Sequence, residues 1–269
     1  MNFDNLNIFN DKDNFKFECN ACGMCCLNRE GADSIIVSTY DLYNLSKGLK
    51  KPIREIGDEY LKFSLGGSSG IVVATIKSSP LNERVSKCIF LNLDAKKSLC
   101  SVHKFKPSVC AMYPLGRMIG YDSDELNNMN YVMQKYQICQ EDKLNKKDYT
   151  IKEWVPNLEL SNKSFLKQSE FIKELLDIIN LRKFIDSDKI PEDKKELYIS
   201  ATLDLWYYAF SLDKDYFEQV DEIYARYLTF LKSLVSISKD YDKNTISKFK
   251  DFYHISEAYE NIITLLNLN

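Results

Sequence analysis

The sequence Cys19-Asn20-Ala21-Cys22-Gly23-Met24-Cys25-Cys26 places four thiols within eight residues. A Cys-x-x-Cys pair forms a tight loop whose two thiolates can converge on one cation, and two such pairs overlap in this stretch. Gly23 directly follows Cys22, where a loop of metal ligands often needs a positive φ or a close backbone approach. The stretch therefore predicts a metal centre, around which we expect the first half of the chain to fold.

Cys25 and Cys26 are neighbours in the chain, which limits what the pair can do. Their Cα atoms are expected to lie about 3.8 Å apart, below the usual disulfide range of about 4.4–6.8 Å. Successive side chains also point apart in an extended backbone. We therefore expect one of the two thiols to bind the metal and the other to turn toward a second site or the core.

The chain has eight cysteines in all, and the four outside this stretch also lie before residue 140. Eight thiols can supply two four-coordinate sites, or one site with spare cysteines. Buried structural cysteines and a disulfide framework are both disfavoured by four thiols in eight residues. Zinc and iron–sulfur clusters both bind through such loops, so the spacing alone does not separate them.

Length and composition indicate a globular protein of one large or two ordinary domains, with 269 residues of which 45% are hydrophobic. Such a chain can build a core without disulfides. The first residues lack the basic start and apolar segment of a secretory signal, and no apolar run approaches the length of a bilayer span. We therefore predict a cytoplasmic protein that does not bind membranes.

The net charge of −3, with acidic and basic residues interspersed, gives no electrostatic reason to expect nucleic-acid binding. Partners are expected to be a protein or a small molecule of unknown identity.

The first half of the chain is predicted to contain a few short strands and helices. Phe15 and Phe17 alternate before the cysteine stretch, which favours an extended approach to it. The other predicted elements are a strand or packed loop over 35–37, a helix capped by Ser38 or Thr39 that ends near Gly48, a helix from Pro52 to about Phe63, a loop over 66–70, a strand over 71–76, and a strand or short helix near 131–136.

The second half is predicted to be helical, because all nine glycines lie at or before residue 120 and amphipathic periods follow. Four helices are expected, over about 164–183, from Pro191, after Asp215, and over about 245–266. A tyrosine-rich stripe on the third helix favours a core position over a pocket lining. The predicted fold class is therefore α+β, with a cysteine-rich metal-binding domain over 15–140 and an all-α domain over 150–269.

Three motifs together resemble a known family. They are F-x-C-x-x-C-G-x-C-C from Phe17, C-x-F-L from Cys88, and C, six residues, then P-x-x-C-x-x-x-P from Cys100. This pattern resembles the YkgJ-like cysteine-cluster family, also called CxxCxxCC, the zinc- or iron-chelating domain. The resemblance covers about residues 15–140.

The resemblance implies that eight cysteines chelate metal. Carried onto this sequence, they are Cys19, Cys22, Cys25, Cys26, Cys88, Cys100, Cys110 and Cys139. The family usually has Tyr near His103, Arg near Lys106 and Arg near Ala111, so functions that rest on those side chains do not transfer. A related cysteine-cluster group includes flagellin lysine methylases with an iron–sulfur cluster, although their cysteine spacing differs.

Two main functions follow from these observations. In the first, an iron–sulfur cluster, with the 4Fe–4S type among the candidates, has a redox or protein-modification role, and the helical domain forms the substrate or partner face. In the second, zinc is a structural staple of an interaction module without catalysis. A SAM-dependent lysine methylase is a further alternative. His103 could replace a cysteine as ligand, but a structural role is favoured for it, and also for His254.

Overall fold

The structure is a computed structural model that describes residues 6–10, 12–29, 35–65, 71–93, 98–118, 130–134, 147–178, 196 and 199–239. Short strands and helices form the N-terminal part and helices dominate the C-terminal part, which confirms the predicted α+β class. The chain divides into two compact units, Met1–Leu49 with Thr75–Lys167 and Lys50–Ala74 with Gln168–Asn269. The domain limits drawn from the sequence, 15–140 and 150–269, stay predictions.

Unit 1 begins with two strands, β1 (Leu6–Phe9) and β2 (Asn14–Phe17). β2 confirms the extended approach to the cysteines, and its alternation places Phe15 and Phe17 in the core. The core cluster around these rings consists of Phe15, Phe17, Met112, Leu115, Tyr131, Ile151 and Val155. The cysteine stretch therefore follows a strand whose aromatic rings are fixed in the hydrophobic core.

Three later strands pair with β1, with β2 or with each other. They are β11 (Leu115–Met118), β12 (Asn130–Gln134) and β13 (Lys147–Thr150). One of them is predicted from the sequence as a strand or short helix near 131–136, and the other two are not predicted. The order β1-β12-β11 is antiparallel throughout, and β13 pairs antiparallel with β2. β1 is absent from the sequence prediction, because its partner β12 lies more than 100 residues later in the chain.

Two further sheets hold the segments that carry cysteines. One consists of β3 (Leu27–Arg29), β8 (Val85–Cys88) and β7 (Ser78–Pro80), and the other of β9 (Leu91–Leu93) and β10 (Ser98–Cys100). The antiparallel register pairs Leu27 with Lys87, so Cys26 and Cys88 each lie one residue beyond this pair, at the same end of the two strands. Cys100 pairs with Leu91.

Helices complete unit 1. β4 (Ile36–Val37) leads into α1 (Thr39–Leu49), and Ser38 caps α1 by accepting a hydrogen bond from the Asp41 amide at 3.1 Å, as the sequence predicts. Later come α3 (Ser108–Met112), α4 (Ile151–Trp154) and α5 (Leu158–Ile178), and the last of these continues into unit 2. The predicted helix over about 164–183 therefore begins earlier than expected.

Unit 2 contains α2 (Ile53–Tyr60), β5 (Leu61–Leu65) and the start of β6 (Val72–Ile76). The helix expected to run from Pro52 to about Phe63 ends at Tyr60. The alternation of Leu61, Phe63 and Leu65 suits a strand, and β5 pairs with β6. This pairing outweighs the helical pattern of the sequence.

The helical part of unit 2 includes a π-helix (Leu203–Tyr207) and α6 (Tyr216–Lys239). The tyrosine stripe of α6 is core, as predicted, since Tyr224 and Tyr227 are buried. The predicted loop over 66–70, the start of a helix at Pro191 and the helix over about 245–266 lie outside the described residues. Within the described part of the chain, no helix is both long and apolar enough to cross a membrane.

Candidate metal centre

The structure describes seven of the eight predicted ligands, and all seven are free thiols. They come from four segments of unit 1, namely the stretch after β2, the ends of β8 and β10, and helix α3. Cys19, Cys22 and Cys25 are exposed, whereas the other four are partly buried: Cys26, Cys88, Cys100 and Cys110. Cys139 lies outside the described residues.

The stretch from Cys19 to Cys26 folds back on itself through two residues with positive φ. Ala21 has a φ of 51° and Gly23 a φ of 75°, so a positive φ, one of the two reasons given above for a glycine after Cys22, is observed. Gly23 precedes a 3-10 helix, Met24–Cys26, and its carbonyl accepts from the Cys26 amide at 2.9 Å. Cys19, Cys22 and Cys25 of this short stretch all line one cavity.

The sulfurs of Cys25 and Cys26 lie 3.9 Å apart, which differs from the expectation that one of them turns away. That expectation assumed an extended backbone, whereas these residues are helical. A hydrogen bond between the two thiols is the main cause that lowers the pKa of Cys25 to about 7 and raises the pKa of Cys26. Ionisation of either thiol therefore disfavours ionisation of the other.

The three cysteines from later segments have raised pKa values, chiefly because burial disfavours their thiolates. The pKa of Cys110 rises to about 12, and negative charge at Cys88 and Cys100 acts in the same direction after burial. Burial is also the main cause that raises the pKa values of Cys88 and Cys100, and negative charge at Cys25 acts in the same direction on both. Five thiols from four segments thus share one electrostatic environment.

Thiolates are the ligands that soft cations prefer, and a bound cation would offset the repulsion between neighbouring thiolates. The chemistry of these donors therefore suits such a cation. No three Cys, His, Asp or Glu side chains lie close enough to bind one ion in the arrangement of the described residues. Four of the seven described cysteines line a common cavity instead. A cavity of about 720 Å³ is lined by Cys19, Cys22, Cys25 and Cys110, together with basic and aromatic side chains.

His103 lines this cavity from a 3-10 helix, His103–Phe105, and is exposed. Its pKa is lowered because the positive charge of Lys106 disfavours the imidazolium, with burial as the second cause. A neutral imidazole is the form that binds metals, so His103 remains an alternative ligand. His254 lies outside the described residues.

Sequence reasoning missed one residue that supports the site, Asp41 on α1. One carboxylate oxygen accepts from the Ser108 amide at 2.7 Å and from the Ser108 hydroxyl at 2.6 Å, and the other accepts from the Ser38 amide at 3.1 Å and hydroxyl at 2.8 Å. Asp41 thereby ties the start of α1 to the start of α3, which carries Cys110. The Ser-x-x-Asp pattern at 38–41 signals the cap but not the second helix.

Replacing Gly23 with alanine is expected to destabilise unit 1 by about 1–2 kcal/mol, because an L side chain is strained at positive φ. The measurement is a urea titration followed by tryptophan fluorescence, with metal content measured alongside. Ala21→Gly is the matched control, since it relaxes the same strain in the same loop and should stay within about 1 kcal/mol of the parent protein. Equal stability of Gly23→Ala and the parent would contradict the role of this turn.

Comparison with known proteins agrees with the geometry. Residues 18–152 match the family model CxxCxxCC, described as "Putative zinc- or iron-chelating domain". The chain is also 32% identical over 98 residues to uncharacterized protein MJ0661 of Methanocaldococcus jannaschii, an alignment that covers 36% of this chain and 44% of that protein. The chain thus spans less than half of the length of this curated relative, and no solved structure matches. Since the family model covers half of the chain, the resemblance seen in the cysteine spacing is confirmed, and this protein belongs to the CxxCxxCC family of metal-chelating domains.

Proposed function

We propose that this protein holds an iron–sulfur cluster through cysteines of unit 1 and that the cluster has a redox or protein-modification role. The observation that carries the proposal is the gathering of seven free thiols from four segments into one unit. A mononuclear zinc site takes four ligands, so seven thiols exceed the needs of one zinc ion. Overlapping Cys-x-x-Cys loops also suit a polynuclear centre better than a single ion.

The residues that would hold the cluster are the eight cysteines of the family pattern, with Cys25, Cys26, Cys88, Cys100 and Cys110 supported by their shared electrostatic environment. An iron–sulfur cluster supplies one-electron transfer when bound. Lys106 lies close enough to these thiols for its positive charge to favour the Cys25 thiolate, although hydrogen bonds from Cys26 and from the backbone have larger effects. This charge would offset part of the negative charge of a thiolate-ligated cluster.

The alternative is structural zinc, and the same thiols support it. Two zinc ions would use all eight cysteines, and their binding free energy would add directly to the folding free energy of unit 1. The helical unit would then serve interaction without catalysis. The methylase alternative stays a prediction, which calorimetric titration with S-adenosylmethionine tests directly.

A cytoplasmic location is part of the proposal, because free thiols in this number need a compartment that keeps them reduced. We also propose that the partner is a protein or a small molecule rather than a nucleic acid or a membrane, on the basis of the near-balanced charge.

Metal analysis of protein purified without oxygen separates the two metals. We expect iron and acid-labile sulfide in similar amounts, a brown colour from thiolate-to-iron charge transfer, and bleaching of that colour in air. The measurements are mass-spectrometric metal analysis, sulfide assay and visible absorption on one preparation. A colourless protein with stoichiometric zinc would overturn the iron–sulfur proposal and leave the structural one.

A further inference from the structure

The cavity beside the cysteines has a second group of lining side chains that a metal centre does not need. Lys104, Lys106, Tyr113 and Trp154 all line it, in addition to the four cysteines. Its volume of about 720 Å³ lies within the range of small-molecule sites, about 300–1,000 Å³. Four sulfur ligands with a metal ion or a small cluster would fill only part of this space.

The polar part of the lining is mainly positive. The lining includes two lysines, Lys104 and Lys106, and one acidic residue, Glu18. In the described part of the chain, the ion pairs join other lysine and arginine residues to carboxylates, and neither Lys104 nor Lys106 takes part in one. Two ammonium groups at a cavity without carboxylate partners provide a site for a negatively charged group.

The apolar part of the lining is formed by two aromatic side chains held in fixed positions. The Trp154 indole N–H donates to the Tyr113 carbonyl at 3.0 Å and to the Met112 carbonyl at 3.3 Å. The buried Phe17 ring packs edge-on against both aromatic rings, with centroids 5.2 Å from Trp154 and 6.1 Å from Tyr113. Because these rings are locked by packing, they offer a preformed flat surface to a ligand.

We infer that this cavity binds a small organic anion, whose carboxylate or phosphate group is held by Lys104 and Lys106 and whose apolar part lies against Tyr113 and Trp154. The inference rests on the proposed function for the role of the cysteines, and it adds a class of substrate that would bind next to the metal. Lys106 belongs to both sites, because it lines the cavity and its charge also acts on the thiol of Cys25. Lys104 adds positive charge beyond what the thiols need.

The test titrates protein purified without oxygen with benzoate, phenyl phosphate and benzamide at constant ionic strength. Binding is measured by calorimetry and by quenching of tryptophan fluorescence, because Trp154 lines the site. Saturable binding of benzoate or phenyl phosphate, with at least tenfold weaker binding of the neutral benzamide, is expected. The preferred anion identifies the head group.

The variant Lys104→Gln/Lys106→Gln is expected to weaken binding of the preferred anion at least tenfold. Lys16→Gln/Lys152→Gln is the matched control, since it removes the same charge from exposed positions outside the cavity and should bind like the parent. Lys104→Glu provides a second variant at an exposed residue that cannot disturb the core. Each variant is checked for an unchanged circular dichroism spectrum. Because Lys106 also acts on Cys25, metal content is measured in every variant, and Lys104→Glu, which keeps Lys106, should bind the anion more weakly while retaining the metal content of the parent.

Three results would overturn the inference: no saturable binding of either anion, equal binding of benzamide, or equal affinities in the cavity and control variants. Metal content is measured on the same samples, so a failure of the anion site can be distinguished from a failure of the iron–sulfur proposal. A protein that retains its metal but binds neither anion refutes only the anion site. A protein without iron refutes the iron–sulfur proposal, whereas the lysine variants still decide the anion site.

Discussion

Replacing Cys110 with serine is expected to lower the metal affinity by more than about 100-fold, because even outer-shell partners of a metal contribute about 10–100-fold. Cys110 lies on α3 and shares the electrostatic environment of Cys88, Cys100 and Cys25. A serine hydroxyl keeps nearly the same shape but supplies no thiolate near neutral pH. The measurement is metal content after purification without oxygen, followed by competition with a chelator.

The loss of metal should also appear as a loss of stability, since metal that binds only the folded state stabilises it. Denaturant titrations with and without chelator separate this effect from packing. The difference between Cys110→Ser and the parent should largely disappear once both proteins are stripped of metal. Hydrogen exchange of α6, in unit 2, should be unchanged.

Val109→Ser is the matched control, because Val109 is the preceding residue on the same helix and is 47% exposed. It introduces the same side chain outside the cluster and should keep full metal content. A Cys110→Ser protein with as much metal as this control would exclude Cys110 from the ligand set and would move the assignment toward the cysteines of the first stretch.

The local parts of the fold could be predicted from the sequence because their signals lie within a few residues. The alternation of Phe15 and Phe17 predicts β2, and the cap at Ser38 predicts α1. The positive φ of Gly23 is one of the two reasons for which a glycine is expected after Cys22. In each case one short segment contains both the cause and its effect, so pattern rules are sufficient.

The non-local parts could not be predicted in the same way. β1 is a strand because it pairs with β12, and α2 ends early because Leu61–Leu65 pairs beside β6. The close approach of the Cys25 and Cys26 sulfurs depends on a 3-10 helix that the adjacent cysteines alone do not indicate. Tertiary pairing decides these elements, and a single sequence carries little signal for it.

The candidate site shows the same division. The cysteine spacing and the family resemblance predict which residues are thiol ligands, but the position of α3, which carries Cys110, depends on hydrogen bonds between α1 and α3. Asp41 makes these contacts. Its carboxylate is 5% exposed and accepts four hydrogen bonds, two from Ser38 and two from Ser108. Hydrogen bonds to a charged group contribute about 1.5–3 kcal/mol each, although such contributions are not additive.

Replacing Asp41 with alanine is therefore expected to lower the free energy of unfolding by about 2–4 kcal/mol and to weaken metal binding, although Asp41 itself is not a predicted ligand. Asp41→Asn keeps one carbonyl oxygen and should recover part of both losses. Asp148→Asn is the control, because Asp148 is an exposed carboxylate of the same unit. Denaturant titration and chelator competition measure the two effects.

A double-mutant cycle shows whether Asp41 acts on the site through α3. If it does, Ser108→Ala should weaken metal binding in the parent and have little further effect in Asp41→Ala, because the link between the helices is already broken. A merely structural role would instead give additive losses of stability and unchanged metal affinity in both single variants. That outcome would contradict the view that a buried carboxylate on α1 positions the thiol of Cys110, and it would assign the placement of α3 to its hydrophobic contacts through Met112.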